Sequence, residues 1–236
     1  MIFYNIGDGY SSGCCTGNLY TISQDDPKYF GAKDVEHPEN KPGSFIANLA
    51  DMYKARPITV GRHNLTLEVM LDNLERYESE IAGHNDQITA FIGIPDLYTF
   101  HSENEEQFKS LFGVDTDYST FVGKHLLLNG TDNLGELTPA ELSTYQMMCE
   151  KRKTVDVAKK IEYLEMFIQR ISNITHKVIV YRTTHLESLD LNLPNNVTFL
   201  NESIVEILSK QHQPHRRGYF DKEAYKTLQR SFLKLL

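Results

Sequence analysis

The sequence predicts an α/β protein, a three-layer sandwich whose central sheet is mostly parallel. Short apolar runs that end in glycine or proline alternate along the chain with longer segments whose apolar residues recur at helical spacing. One run, residues 88–94, is apolar almost throughout, which is typical of a parallel strand covered on both faces. The length of 236 residues, with 40% hydrophobic and 24% charged residues, favours a single domain over residues 1–236.

The amino-terminal part of the chain is predicted to hold two strands and a helix, with a long loop between them. Residues 2–6 are aromatic and apolar and stop at Gly7, which indicates a buried strand that ends in a turn. Residues 10–43 are rich in Gly, Ser, Asp and Pro, so we predict a surface insertion there. Residues 44–53 place apolar side chains at helical spacing, and residues 57–60 indicate the second strand.

The middle of the chain continues this alternation. Asn64 is the expected N-cap of a helix that ends near Gly83. Residues 88–94 form the predicted central strand, and Pro95 terminates it. Residues 97–137 carry many aromatic side chains without a clear period, and we predict a second insertion there.

The carboxyl-terminal part is predicted to be mainly helical. Thr138, Pro139 and Glu141 together form a strong helix start, and the helix is expected to run to about Ser172, with room for a break. The overall order is then β-α-β-α-β-insertion-α-β-β-α-α. The remaining predicted elements are strands at 177–181 and 197–200, a helix at 203–210 and a last helix that Asp221 caps.

Composition and charge argue against several classes of partner. A formal net charge of -8 gives no general attraction to nucleic acids or to anionic membranes. The first residues lack the basic region of a signal peptide, and no stretch approaches the ~18 apolar residues of a membrane span. Three cysteines do not suit a secreted disulfide framework, so we expect a cytoplasmic protein with reduced thiols.

Glycine or polar residues directly follow four of the predicted strands. Ligands of open parallel sheets bind beyond the carboxyl ends of the strands, so these positions locate a candidate site. Neither a phosphate-binding loop, nor a dinucleotide fingerprint, nor a set of ligands at zinc-type spacing is present, so the sequence indicates no cofactor and no metal. The four segments are Gly7–Gly9, Gly61–Asn64, Gly93–Asp96 and Arg182–His185.

Several of these segments resemble the sequence blocks of the SGNH (GDSL-type) hydrolases. The stretch N-I-G-D-G-Y-S-S-G after the first strand resembles the opening G-D-S block, and Gly61–Asn64 resembles the second block, whose glycine amide helps to build an oxyanion hole. Gly93–Asp96 is similar to the third block, G-x-N-D, and residues 218–225 to the fifth, in which D-x-x-H precedes a helix. The resemblance follows the correct order along nearly the whole chain. It implies a flavodoxin-like three-layer fold and, in active members, serine ester hydrolysis.

The departures from the family pattern fall on the catalytic positions. Gly9 stands where the family has its nucleophilic serine, and Pro95 stands where it has an asparagine of the oxyanion hole. Tyr219 takes the place of the catalytic histidine, and Arg216 that of the aspartate three residues before it. A nucleophile and its base act as a unit, so their loss removes most of the rate acceleration. The block residues that remain are Asp8, Gly61, Asn64 and Asp96.

Three functions stay open on the sequence alone. The first is an SGNH-like binding or structural module without esterase activity, which takes a protein partner or a small ligand at the strand ends. By the resemblance, it would be a cytoplasmic bacterial protein or a component of a phage virion. The second is an active esterase or deacetylase with relocated residues. The third is a different chemistry that uses Asp8, Asp96 and His63. The candidates for the relocated residues are Ser11 or Ser12 as nucleophile and His215 or His212 as base, and His63, beside Gly61, is a candidate for polarising a bound group.

Overall fold

The computed structural model describes residues 1–7, 44–60, 65–95, 97, 139, 155–183, 189–212 and 222–236. Within these ranges, strands and helices follow one another in the predicted order. The strands are β1 (Ile2–Ile6), β2 (Arg56–Thr59), β3 (Ile88–Ile94), β4 (Lys177–Arg182) and β5 (Val197–Leu200). The helices are α1 (Phe45–Met52), α2 (Leu67–Asp72), α3 (Leu74–Ala82), α4 (Val157–Asn173), α5 (Ile204–Ser209) and α6 (Lys222–Leu233).

The described strands form one parallel sheet in the order β2-β1-β3-β4-β5. From β1 the chain winds outward to β2, and from β3 it winds outward in the other direction, so the winding reverses between β1 and β3. This is the flavodoxin-like order of doubly wound sheets, in which the reversal point is the usual ligand crevice. Helices cover both faces of the sheet, so the predicted α/β fold with three layers and a mostly parallel sheet is confirmed.

Helices α1, α5 and α6 pack on one face of the sheet, which we call the first face. Phe232 of α6 lies at its centre, with its ring centroid 4.6 Å from that of Phe45 and 5.3 Å from that of Tyr181. Burying a side chain of this size stabilises a fold by roughly 1.5–3 kcal/mol. The aromatic contacts therefore join α6, near the end of the described chain, to α1, near its start.

Helices α2, α3 and α4 pack on the opposite, second face. Tyr77 of α3 meets Phe167 of α4 edge to face, with ring centroids 6.2 Å apart. In the segment between β4 and β5, three leucines at alternating positions pack against the same core. These are Leu189, Leu191 and Leu193.

Four helices begin at a polar residue whose side-chain oxygen accepts a hydrogen bond from the backbone amide three residues later. This bond satisfies an amide that has no acceptor within the helix itself. Ser44 caps α1, Asp156 caps α4, and Ser203 caps α5 as part of a capping box with Glu206. The prediction that Asn64 caps the helix after β2 is wrong. Thr66 caps α2 instead, and its Oγ1 accepts the amide of Val69 at 3.4 Å.

The structure departs from the predicted elements in two further places. The helix expected from Asn64 to Gly83 is two helices, α2 and α3, which meet at Asn73. Asn73 Nδ2 donates to the carbonyl of Val69 at 2.8 Å, and such side-chain bonds to the backbone compete with a continuous helix. Strand β2 spans Arg56–Thr59, one residue earlier than predicted.

Much of the two predicted insertions lies outside the described residues. All of 10–43 does, whereas Leu97 of the 97–137 stretch is described and is buried in the second-face core. Pro139 is helical, as predicted, but the long helix described begins only at Val157. The predicted cap Asp221 also lies outside the described residues. In the ranges that are described, no helix is long and apolar enough to cross a membrane.

Candidate functional site

The carboxyl ends of β1, β3 and β4 form the candidate site, because the winding of the sheet reverses between β1 and β3. Asn5 lies one residue before the end of β1, and it is fully buried. In the sheet register, Asn5 lies opposite Phe91 of β3, which lies opposite Ile179 of β4. All three side chains belong to the first face, so Asn5 places a polar group among aromatic and aliphatic ones.

A hydrogen bond spans the sheet at this point. The Tyr181 hydroxyl on β4 donates to Asn5 Oδ1 on β1 at 2.8 Å, although β3 lies between the two strands. Both residues are fully buried, and the bond joins positions 176 residues apart in the chain. The polar pair therefore ties the two sides of the reversal point together.

Gly93 of β3 makes this reach possible. It lies opposite Tyr181 in the register, and a Cβ added to it would lie 3.0 Å from Tyr181 Cε2 and 3.0 Å from Tyr181 Oη. It would also lie 3.1 Å from Thr183 Cγ2. The Tyr181 ring thus crosses β3 over bare backbone, and a side chain at position 93 would obstruct it.

The second atom of the Asn5 amide has no partner in the described part of the chain. Nδ2 is buried, and none of the described groups accepts a hydrogen bond from it. An unpaired buried donor costs free energy, and native structures hold few of them. With the amide turned the other way, Oδ1 would be the unpaired atom, so one hydrogen-bonding position is left over in either orientation.

The end of β3 is closed by Thr183. Its Oγ1 donates to the carbonyl of Ile94 at 3.0 Å, and its own carbonyl accepts the amide of Val205 in α5 at 3.3 Å. Pro95 comes directly after the last residue of β3, and it is buried. Proline has no amide hydrogen, so position 95 presents neither a backbone donor nor a side-chain amide to the strand ends.

A charged network fixes the neighbouring turn between β5 and α5. Arg182, at the end of β4, is 6% exposed and donates through Nη2 to the carbonyl of Asn201 and, at 3.3 Å, to Glu206 Oε2. Glu206 also accepts the amide of Ser203 at 2.6 Å, which is half of the capping box of α5. These contacts give Arg182 a structural role in holding the β5–α5 turn.

Most residues of the predicted site lie outside the described part of the chain. Pro95 is the exception, and it lies at the carboxyl end of β3, as predicted. By chain connection, Asp8, Gly61 and Asp96 come shortly after β1, β2 and β3, which are neighbours in the sheet. The residues outside the described ranges are Asp8, Gly9, Ser11, Ser12, Gly61, His63, Asn64, Asp96, His215, Arg216 and Tyr219.

His212, a candidate base in the sequence, is described and is engaged elsewhere. Its ring Nε2 lies 2.9 Å from the hydroxyl oxygen of Thr227 in α6, and its amide donates to the carbonyl of Leu208 at 2.9 Å. It follows the last turn of α5, a helix whose first turn contacts the carboxyl end of β4 through Thr183. His212 therefore lies at the end of α5 that is remote from the candidate site.

Sequence reasoning placed Thr183 in the candidate segment Arg182–His185 but missed Asn5 and Tyr181 as members of the site. One sign was available, since Asn5 is the one amide side chain in the run I-F-Y-N-I. A buried polar residue in an apolar strand needs a partner. The partner itself, on a strand 176 residues away, leaves no mark in the local sequence.

Comparison with known proteins identifies no relative of this chain. The chain matches no protein-family model, no curated protein and no solved structure. The buried pair of Asn5 and Tyr181, the bare backbone at Gly93 and the proline after β3 therefore define the site by themselves.

Proposed function

We propose that this chain is an SGNH-like α/β protein without serine-hydrolase activity, which binds a small ligand or a protein partner at the carboxyl ends of β1 and β3. The observation that carries the proposal is the buried Pro95 directly after β3. An SGNH hydrolase would present an asparagine amide at this position to a developing oxyanion. A proline offers no hydrogen-bond donor there.

The sequence supports the loss of catalysis at two more positions. Gly9 has no side chain that could attack a carbonyl, and Tyr219 stands where the resemblance implies the base. Acyl transfer needs a nucleophile, a base within hydrogen-bonding reach and donors for the oxyanion. All three requirements are affected, so the simplest interpretation is a protein that has the fold of the SGNH hydrolases and lacks their reaction.

The polar pair beneath the strand ends supports binding. Doubly wound sheets hold ligands at the point where the winding reverses, and here that point lies between β1 and β3. Asn5 and Tyr181 meet at this point, buried among first-face side chains. A polar pair of this kind is what fixes the orientation of a ligand in an otherwise apolar site.

A serine-reactive fluorophosphonate probe tests the absence of catalysis. We expect no labelling of the protein and no hydrolysis of p-nitrophenyl acetate above the rate in buffer, because no activated hydroxyl is available. An active serine esterase, treated in parallel, is the positive control. Mass spectrometry of the treated protein would locate any adduct.

Labelling of one serine would support the alternative, a working esterase with relocated residues. An adduct on Ser11 or Ser12 that disappears in the Ser→Ala variant of that position would contradict the proposal. The Ser→Ala variant of the other position is the matched control, because it alters the same segment and leaves the labelled hydroxyl in place.

A further inference from the structure

The amide of Asn5 has one hydrogen-bonding atom more than the described protein uses. Its Oδ1 accepts the hydroxyl of Tyr181 at 2.8 Å, whereas its buried Nδ2 finds no acceptor among the described residues. Asn5 is fully buried, so bulk water does not compensate this donor. A buried donor without an acceptor requires an explanation in a native fold. The position of Asn5 at the reversal point favours a bound acceptor as that explanation.

The amino terminus of α1 lies against the same pair. The ring of Phe45, the first residue of α1, meets the ring of Tyr181 edge to face with centroids 5.6 Å apart. Ser44 accepts the amide of Ala47 through Oγ and that of Asn48 through its carbonyl. The two preceding amides, of Phe45 and Ile46, have no acceptor within the helix.

The local charge also favours an acceptor. The first turn of α1 contains no acidic residue, so no carboxylate of its own occupies the positive end of the helix dipole. The unpaired atom of Asn5, as placed by its bond from Tyr181, is a donor rather than an acceptor. Both observations predict that a group bound here carries negative or partly negative charge.

We propose that the carboxyl end of β1 binds an oxygen acceptor of the ligand, with Asn5 Nδ2 donating a hydrogen bond to it. The oxygen belongs to a carboxylate, a phosphate or a carbonyl group. This inference rests on the proposed function, since it names the chemistry of what the strand-end site binds. Tyr181 is a positioning residue: its hydroxyl occupies Oδ1 and leaves the donor of the amide for the ligand.

Thermal unfolding in the presence of three simple probes tests the proposal. The probes are sodium acetate, sodium phosphate and acetamide, measured against sodium chloride at equal ionic strength and against methylammonium chloride. We expect at least one oxygen-acceptor probe to raise Tm by about 3 °C at ten times its Kd, and neither control salt to do so. Which probe acts distinguishes a carboxylate, a phosphate and a neutral carbonyl as the source of the oxygen.

Two asparagine variants assign the response to one side chain. Asn5→Leu removes the donor at similar volume, so we expect it to abolish the rise in Tm. The probe-free Tm is expected to fall as well, because the variant also removes the acceptor of the buried Tyr181 hydroxyl. The matched control is Asn196→Leu. Asn196 Nδ2 donates to the carbonyls of Ser172 and Thr175 at 2.9 and 3.4 Å, so this variant is expected to lower Tm and to keep the response.

Two outcomes of these unfolding experiments would overturn the proposal. They are the absence of a response to all three probes and a response that persists in Asn5→Leu. If Asn5→Leu cannot be purified, NMR of the unmodified protein decides. The side-chain amide of Asn5, assigned through its proximity to the Tyr181 ring, is expected to shift downfield with the active probe, and an unchanged resonance overturns the proposal. Fluorophosphonate labelling does not bear on this result, so the two proposals fail separately.

Discussion

At the scale of single residues, a missing side chain at Gly93 shapes the site as much as the groups around it. The Tyr181 ring crosses β3 at this position and is held from other directions by the rings of Phe45 and Phe232. The ring therefore cannot move far without losing aromatic contacts. Its hydroxyl would also leave Asn5, the other member of the buried pair.

We expect Gly93→Ala to lower the free energy of unfolding by about 1–3 kcal/mol, because its methyl group would overpack a buried contact. The clash distance is 3.0 Å to two atoms of Tyr181. Urea unfolding followed by circular dichroism measures the change.

Gly83→Ala is the matched control for that substitution. Gly83 ends α3 with φ of -69°, and the nearest atom to an added Cβ is the carbonyl oxygen of Ser79 at 3.3 Å. We expect a change within about 0.5 kcal/mol there, since the backbone conformation suits alanine. Equal losses at both positions would contradict the role given to Gly93.

The sequence was informative about Pro95 and much less so about Asn5. Proline removes a donor wherever it stands, so the lack of a backbone donor at position 95 follows from its identity alone. The role of Asn5 depends on Tyr181 and on the absence of a side chain at Gly93, which lie on two other strands. Contacts of this kind become visible only when the strands are paired.

At the scale of elements, local chemistry predicted the strands and most helix ends well. β1, β3 and β5 have the predicted bounds, because apolar runs that end in turn residues define buried strands. The prediction failed between α2 and α3, where the hydrophobic periodicity continues through Asn73 but the helical backbone is interrupted there. A side-chain bond from Asn73 to Val69 decides that break, and hydrophobic spacing does not reveal it.

One ion pair joins two helices of the second face and should make their packing depend on pH. Lys160 Nζ of α4 lies 2.8 Å from Glu68 Oε1 of α2. Burial tends to raise the pKa of Glu68, but hydrogen bonds, chiefly from Lys160, outweigh it and hold the pKa below its ordinary value of 4.5. The folded pKa is depressed, so the pair stabilises the protein above the unfolded pKa and this stability is lost as pH falls through the folded pKa.

We expect Glu68→Gln to lower the free energy of unfolding by roughly 0.5–1 kcal/mol at pH 7, as is usual for a partly exposed pair. The difference from the unmodified protein should shrink below about pH 4.5 and vanish once Glu68 is protonated in both states. Urea unfolding at pH 7 and at successively lower pH measures this difference. The exposed Glu162 of α4 supplies the control, Glu162→Gln. A difference that does not depend on pH would contradict the assignment.

At the scale of the whole molecule, the alternation of strands and helices was enough to predict the class of fold. It was not enough to predict the order of strands in the sheet, since that order depends on which direction each connection takes. The assignment of α1, α5 and α6 to one face and of α2, α3 and α4 to the other likewise needed the structure. The location of the candidate site at the β1–β3 reversal point follows from that order.

The burial of the strands predicts a gradient of local stability across the sheet. β1 and β3 are buried throughout, whereas β2 and β5, at the two edges, are only partly covered or exposed. We expect backbone amides of β1 and β3 to exchange with deuterium most slowly, and those of β2 and β5 to exchange earlier. Hydrogen exchange followed by mass spectrometry measures this order. Protection of β2 equal to that of β1 would contradict it.

The composition of the first face has a consequence for synthesis on the ribosome. Phe232 of α6 contacts Phe45 of α1, and these residues are separated by nearly the whole described chain. The apolar side of nascent α1 is therefore fully covered only after α6 has emerged. The last described helix of the second face, α4, precedes α5 and α6 in the chain, so the second face can assemble sooner, and a stalled nascent chain is expected to expose the first face to chaperones.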